Sequence, residues 1–130
     1  RLVVRGLKPG KYELKIDGVA VGQYTHAQLG AKIELQSNDK TPQYQQALKV
    51  AMLNKERNEK AVRPYRNQFS RLKGQQSKEV DKKDPATFAK FMEKFDAELV
   101  KLSAMSNEYE DKIYAANQPV ARKYEIAPVE

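Results

Sequence analysis

Apolar and polar positions along the chain change rhythm twice, and each change marks a different kind of element. The first stretch is β-like. Leu2-Val3-Val4 is a short apolar run, and Leu7-Lys8-Pro9-Gly10 carries Pro and Gly where a turn requires them. Tyr12, Leu14 and Ile16 alternate with Glu13, Lys15 and Asp17, the period-two pattern of a half-buried strand. Asp17-Gly18 then separates that strand from Val19-Ala20-Val21, which is the strongest short-range hairpin signal. Thr25 and Gln28 have the spacing of a capping box over a short helix that Gly30 would end. Ile33 and Leu35 suggest one more extended piece. A sheet of two or three short strands is marginal by itself and needs a cover.

After the polar linker Gln36-Ser37-Asn38-Asp39-Lys40 the rhythm becomes helical. Thr41-Pro42 supplies an N-cap and a first-turn proline. Tyr44, Leu48, Ala51, Lys55, Val62, Tyr65, Phe69 and Leu72 then recur at roughly helical spacing. Pro64 predicts a kink or short break, Gly74 an end, and Gln75 to Lys83 a charged connection. Asp84-Pro85 repeats the start signal. Phe88, Met92, Phe95, Leu99, Leu102, Tyr109, Ile113 and Ala116 follow as a coiled-coil-like seam interrupted by one serine, Ser106, until Asn117 and Pro119 stop it. The tail around Tyr124 and Ile126 reads as extended, able to dock one or two side chains.

The predicted class is therefore α+β. A small antiparallel β-hairpin sheet over about residues 2–35 precedes a long antiparallel α-helical hairpin over about 42–73 and 85–117. As domains, residues 1–40 form the β-hairpin segment and 41–130 the helical hairpin with its extended tail. The chain begins Arg1-Leu2-Val3-Val4, without Met, which suggests one piece of a larger protein.

Composition narrows the chemistry. With no cysteine, disulfides and thiolate metal sites are excluded. No apolar stretch approaches the roughly 20 residues that span a bilayer. Lys and Arg outnumber acids 24 to 17, a net charge of +7, but the basic residues are dispersed among acids. The row Arg57, Lys60, Arg63, Arg66 and Arg71, interleaved with Tyr65 and Phe69, is the one surface that would suit nucleic acid or an acidic protein. The simpler reading puts the apolar members against the partner helix and the arginines in water.

No catalytic set stands out. His26, the sole histidine, has Gln23 rather than Asp three residues before it. Gly6 to Lys11 lacks the spacing and the Ser or Thr of a phosphate-binding loop. Asp96 and Glu98 fall on different helix faces, so they form no acid/base dyad. Asp81, Asp84, Glu108, Glu110 and Asp111 read as caps and solvated faces rather than metal ligands. The expectation is no catalytic, cofactor-binding or metal-binding residue, and no cofactor.

Four ordered stretches carry a family resemblance. Val4-Arg5-Gly6-Leu7 to Ile16-Asp17-Gly18 fits V-x-G-L-x-x-G-x-Y-x-L-x-I-D-G, and Val21 to Leu29 fits V-G-x-[FY]-[ST]-x-x-[EQ]-L. Thr41-Pro-Gln-Tyr-Gln-Gln-Ala47 and Leu53-Asn-Lys-Glu-Arg-Asn58 follow. Together, over roughly residues 2–72, they resemble the region downstream of the catalytic core in bacterial SGNH/GDSL-type hydrolases, esterase- and lipase-like enzymes. The resemblance implies a noncatalytic C-terminal region of an exported (periplasmic or extracellular) enzyme acting on ester bonds. The family's Gly-Asp-Ser and Asp-x-x-His blocks are missing; Ser37-Asn38-Asp39 echoes its Asn block, with Gln36 in place of the Gly. On this reading the chain is not itself an enzyme. It packs on an upstream catalytic domain through Asn54, Arg57 and Asn58, or mediates homo-oligomerisation through the Phe88–Ile113 seam. The alternative from a different class is a self-contained basic helical-hairpin module binding nucleic acid or an acidic protein.

Overall fold

In a computed structural model that describes residues 1–129, β1 (Lys11–Ile16) and β2 (Val19–Thr25) form the expected hairpin. Asp17 and Gly18 both have positive φ, 52° and 80°, as a two-residue I′ turn requires. The alternation in β1 turns Leu14 and Ile16 fully inward, and the β1–β2 register shifts once, between Leu14 and Lys15. α1 (His26–Ala31) follows directly, with Thr25 and Gln28 making the complete capping box.

α2 (Pro42–Arg57) starts at a Thr41 cap whose Oγ1 accepts from the Tyr44 N–H at 3.2 Å. A π-helical turn, Asn58–Val62, leads into α3 (Arg63–Ser77), then α4 (Val80–Lys83) and the 32-residue α5 (Pro85–Ala116). Asp84 caps α5 by accepting from the Thr87 N–H at 3.1 Å. The chain ends in β3 (Tyr124–Pro128), which pairs antiparallel with β1, so the sheet order is β2-β1-β3. The fold class is thus α+β, a three-stranded antiparallel sheet with long helices.

Several local expectations need correction. Leu2 and Ile33 form only an isolated antiparallel bridge rather than strands. In place of the kink or short break expected at Pro64, the chain makes a π turn just upstream. Widening the backbone into a π turn, closed by the Arg63 N–H on the Asn58 carbonyl, relieves the clash of the proline ring with the preceding turn, and Pro64 sits in the first turn of α3. Gly74 does not end the helix, which runs to Ser77, and part of the charged connection is helical. The tail does more than dock side chains, since it is a full strand.

Two units are distinguishable, one made of residues 1–49 with the segment from Asn117 onward, the other of residues 50–116. The first has a core of Leu14, Ile16, Val21, Leu29 and Ile33. Its tail is held by Asp17, whose carboxylate accepts from the Lys123 N–H at 2.8 Å and from Arg122 Nη1 at 2.9 Å. Arg122 Nη2 also donates to Gln46 Oε1 at 3.2 Å. In the second unit α3 packs against α5, with Ala61, Phe95 and Leu102 buried.

Candidate functional site

The most chemically developed place in the helical unit lies where the π turn faces α5. A π turn adds a residue to the helical circuit and re-aims the side chains around it, and such turns are frequent at functional sites. Arg57, the last residue of α2, reaches across to α5. Its Nε donates to Ser106 Oγ at 3.0 Å, and its Nη2 pairs with Glu110 Oε1. One turn on, Lys60 Nζ lies 2.7 Å from Glu56 Oε2, which also accepts from Tyr109 Oη at 3.1 Å. Hydrogen bonds from Lys60 first, and Tyr109 second, hold the Glu56 carboxyl below its ordinary pKa, and the same carboxylate holds the Lys60 ammonium above its own. Lys112 stands 5.1 Å from the centre of the Tyr109 ring.

Beside this network is a hollow of about 160 Å³ lined by Ala61, Val62, Tyr65, Leu102, Ser103 and Ser106. It exists because small residues meet there. Ala61 projects from the π turn, and Ser103 and Ser106 stand opposite on α5.

Among the three residues expected to contact a catalytic core, Arg57 is engaged within the hairpin, by Ser106 and Glu110. Asn54 is exposed and donates to the carbonyl of Val50, and Asn58 is half-buried in the π turn. Glu110, read as part of a solvated face, is instead a cross-hairpin ion-pair partner. In the basic row, Lys60 is paired with Glu56 and Arg71 donates to Gln68, while Arg63 and Arg66 are exposed. Phe95 and Leu102 of the α5 seam are buried within the hairpin. Sequence reasoning missed Glu56 and Ser103 as site residues and placed Tyr109 only in the apolar seam. The one signal available was Ser106, the polar interruption of an apolar seam.

In the sheet unit, His26 Nδ1 accepts from the Gly10 N–H at 3.3 Å, a structural contact. Asn38, the residue that echoed the family's Asn block, donates to the Val21 carbonyl at 2.6 Å and accepts from the Lys40 N–H. It pins the linker to β2. No group of three or more metal-ligating side chains, and no helix long and apolar enough to cross a membrane, occurs among the described residues.

No family model and no curated protein matches the chain. A solved structure similar to it is BT4096, a gut microbial diltiazem-metabolizing enzyme, 30% identical, with a TM-score of 0.66. The alignment covers 98% of this chain and 33% of that one, so the chain spans about a third of that enzyme's length.

This finding corrects two expectations. The SGNH/GDSL-type assignment is set aside, because the protein that the chain matches is described by drug metabolism. Most of the motifs behind that assignment, a turn glycine, a capping box and a Thr-Pro helix start, are ones that local backbone physics favours in any protein with these elements. The expectation that the chain is not an enzyme is also overturned, since nearly its whole length aligns within one. A missing Ser-His-Asp set says nothing about chemistry that other residues perform.

Proposed function

We propose that this chain is part of an enzyme that chemically converts a small organic molecule, as the diltiazem-metabolizing enzyme does. The observation that carries this reading is 30% identity sustained over 98% of the chain, both sheet unit and helical unit included. The polar network at the π turn supports it. A carboxylate, an ammonium and a phenol share hydrogen bonds there beside an open hollow.

The test is to incubate the protein, at the full length its gene encodes, with diltiazem and follow the intact drug by mass spectrometry. The expected result is loss of drug that scales with enzyme concentration and time. Drug that stays intact with enzyme in molar excess would rule diltiazem out as a substrate.

A further inference from the structure

We propose that the hollow between the π turn and α5 is a binding site for one uncharged, benzene-sized aromatic ring bearing a hydroxyl or ether oxygen. This inference concerns binding by the helical unit alone and stands whether or not the protein converts diltiazem.

Three observations meet here. The first is size. An apolar cavity of about 150 Å³ accommodates benzene, and this hollow measures about 160 Å³. The second is the run of rings that leads to it. Phe88, Phe91 and Phe95 succeed one another along α5 at 6.2 and 6.1 Å between centres. The run crosses to Phe69 at 5.5 Å, nearly edge-on, and continues to Tyr65 at 5.6 Å. These separations are those of favourable aromatic pairs. Tyr65 lines the hollow, and there the ladder stops. The next ring along α5 is Tyr109, and around the hollow stand Ala61, Ser103 and Ser106, small side chains that leave it unfilled.

The third observation is polarity. The wall is mostly apolar, from Ala61, Val62 and Leu102, and two hydroxyls stand among it. Ser106 Oγ accepts from Arg57 and still carries an O–H that can donate. Ser103 is exposed and lines the hollow. Such a site offers hydrogen bonds to a single oxygen substituent, and its apolar wall gives no counter-charge for an ion. A ring bound there completes the ladder, packing against Tyr65 on one side.

The probe is phenol, titrated into the 130-residue chain labelled with ¹⁵N. The expected result is saturable amide shifts at Ala61, Val62, Leu102, Ser103 and Ser106, with a dissociation constant on the order of 1 mM. Cyclohexanol, similar in size but not aromatic, binds more weakly. Ser103→Leu brings a larger apolar side chain to the rim of the hollow at an exposed position, and weakens phenol binding by about tenfold or more, equivalent to about 1.4 kcal/mol. Ala104→Leu, which borders the adjoining, more open depression that shares Tyr65 and Ser103 with the hollow but does not line the hollow itself, leaves binding unchanged. Unsaturable shifts, equal binding of cyclohexanol, or equal loss in both variants would each overturn the proposal. Far-UV circular dichroism confirms that both variants stay helical. Failure here leaves the drug-conversion assay unaffected, and the reverse also holds.

Discussion

The two units solve the burial problem in opposite ways. The sheet unit draws five buried apolar residues from separate segments, with Leu14, Ile16 and Leu29 wholly out of solvent. The helical unit buries only Ala61, Phe95 and Leu102 among its apolar side chains, while Val100 is 71% and Phe69 43% exposed. A strand gives every second residue to a shared core, whereas two helices alone meet along a narrow stripe. What the hairpin lacks in burial it replaces with linkage across the stripe: Arg57 to Ser106 and Glu110, Glu56 to Tyr109, and a ladder of rings. A core closed on all sides resists a ligand. A hairpin held by cross-links over a thin core leaves openings, and the hollow beside the π turn is one.

The comparison breaks first at Leu14. If the sheet unit is held by closed burial, Leu14→Ala leaves a void that its neighbours fill only partly, at a cost of about 3 to 4 kcal/mol. Chemical denaturation followed by amide exchange at β1 and β2 reads this directly. A cost under about 1 kcal/mol, the range of volume-tolerant swaps, would mean the core is looser than its burial implies.

The matching change in the helical unit is Leu102→Ala. Leu102 is 4% exposed but lines the hollow, so truncation enlarges an opening that water or a neighbouring side chain can enter. The expected cost is about 2 to 3 kcal/mol, at the low end for a buried leucine. The same denaturation experiment with exchange read at α5 measures it. A cost equal to that of Leu14→Ala would remove the contrast between closed and open cores.

How much of this was legible in the chain depends on sequence distance. The hairpin turn at Asp17-Gly18, the box at Thr25 and Gln28, and the helix starts at Thr41-Pro42 and Asp84-Pro85 are each encoded within four residues, and the structure has all of them. The α5 seam was legible because one period governs many residues. The pairing of β1 with a strand at the far end of the chain was not, because Tyr124–Pro128 has no turn to announce its partner. Nor was the π turn. Pro64 signals trouble for a helix, but whether it is resolved by a kink at the proline or a wider turn before it depends on what α5 presents opposite. Asn54, Arg57 and Asn58 read as contacts to an upstream catalytic domain, yet the ion pair of Arg57 with Glu110 joins elements that only the folded hairpin brings together.

The cross-links themselves are the next point of attack. Arg57→Ala removes the ion pair to Glu110 and the bond to Ser106 in a half-buried setting. A charged hydrogen-bonded group in such a place contributes about 1 to 2 kcal/mol. The loss should appear as faster exchange around the π turn and mid-α5, with β1 unchanged. Uniform loss across both units would show that the network holds more than the hairpin.

The smallest effect expected is a matter of pH, and it sharpens the comparison by finding a cross-link in the sheet unit as well. The Lys123 N–H, and then Arg122, hold the Asp17 carboxyl below its ordinary pKa in the folded chain. A carboxyl depressed on folding contributes stability above its unfolded pKa, near 4, and that contribution fades as pH falls through the lower folded value. The sheet unit should therefore weaken on acidification below about pH 4, losing exchange protection first at the β1–β2 turn and at β3. Asp17→Asn keeps a side chain suited to the left-handed backbone at φ 52° and still accepts hydrogen bonds, but it cannot titrate. It should flatten the acid response at the turn and β3 while leaving that of Glu56, depressed by Lys60 in the helical unit, in place. If Asp17→Asn instead left the response at the turn unchanged, the tail would be held by β3 pairing alone, and the sheet unit would owe nothing to its charged clasp.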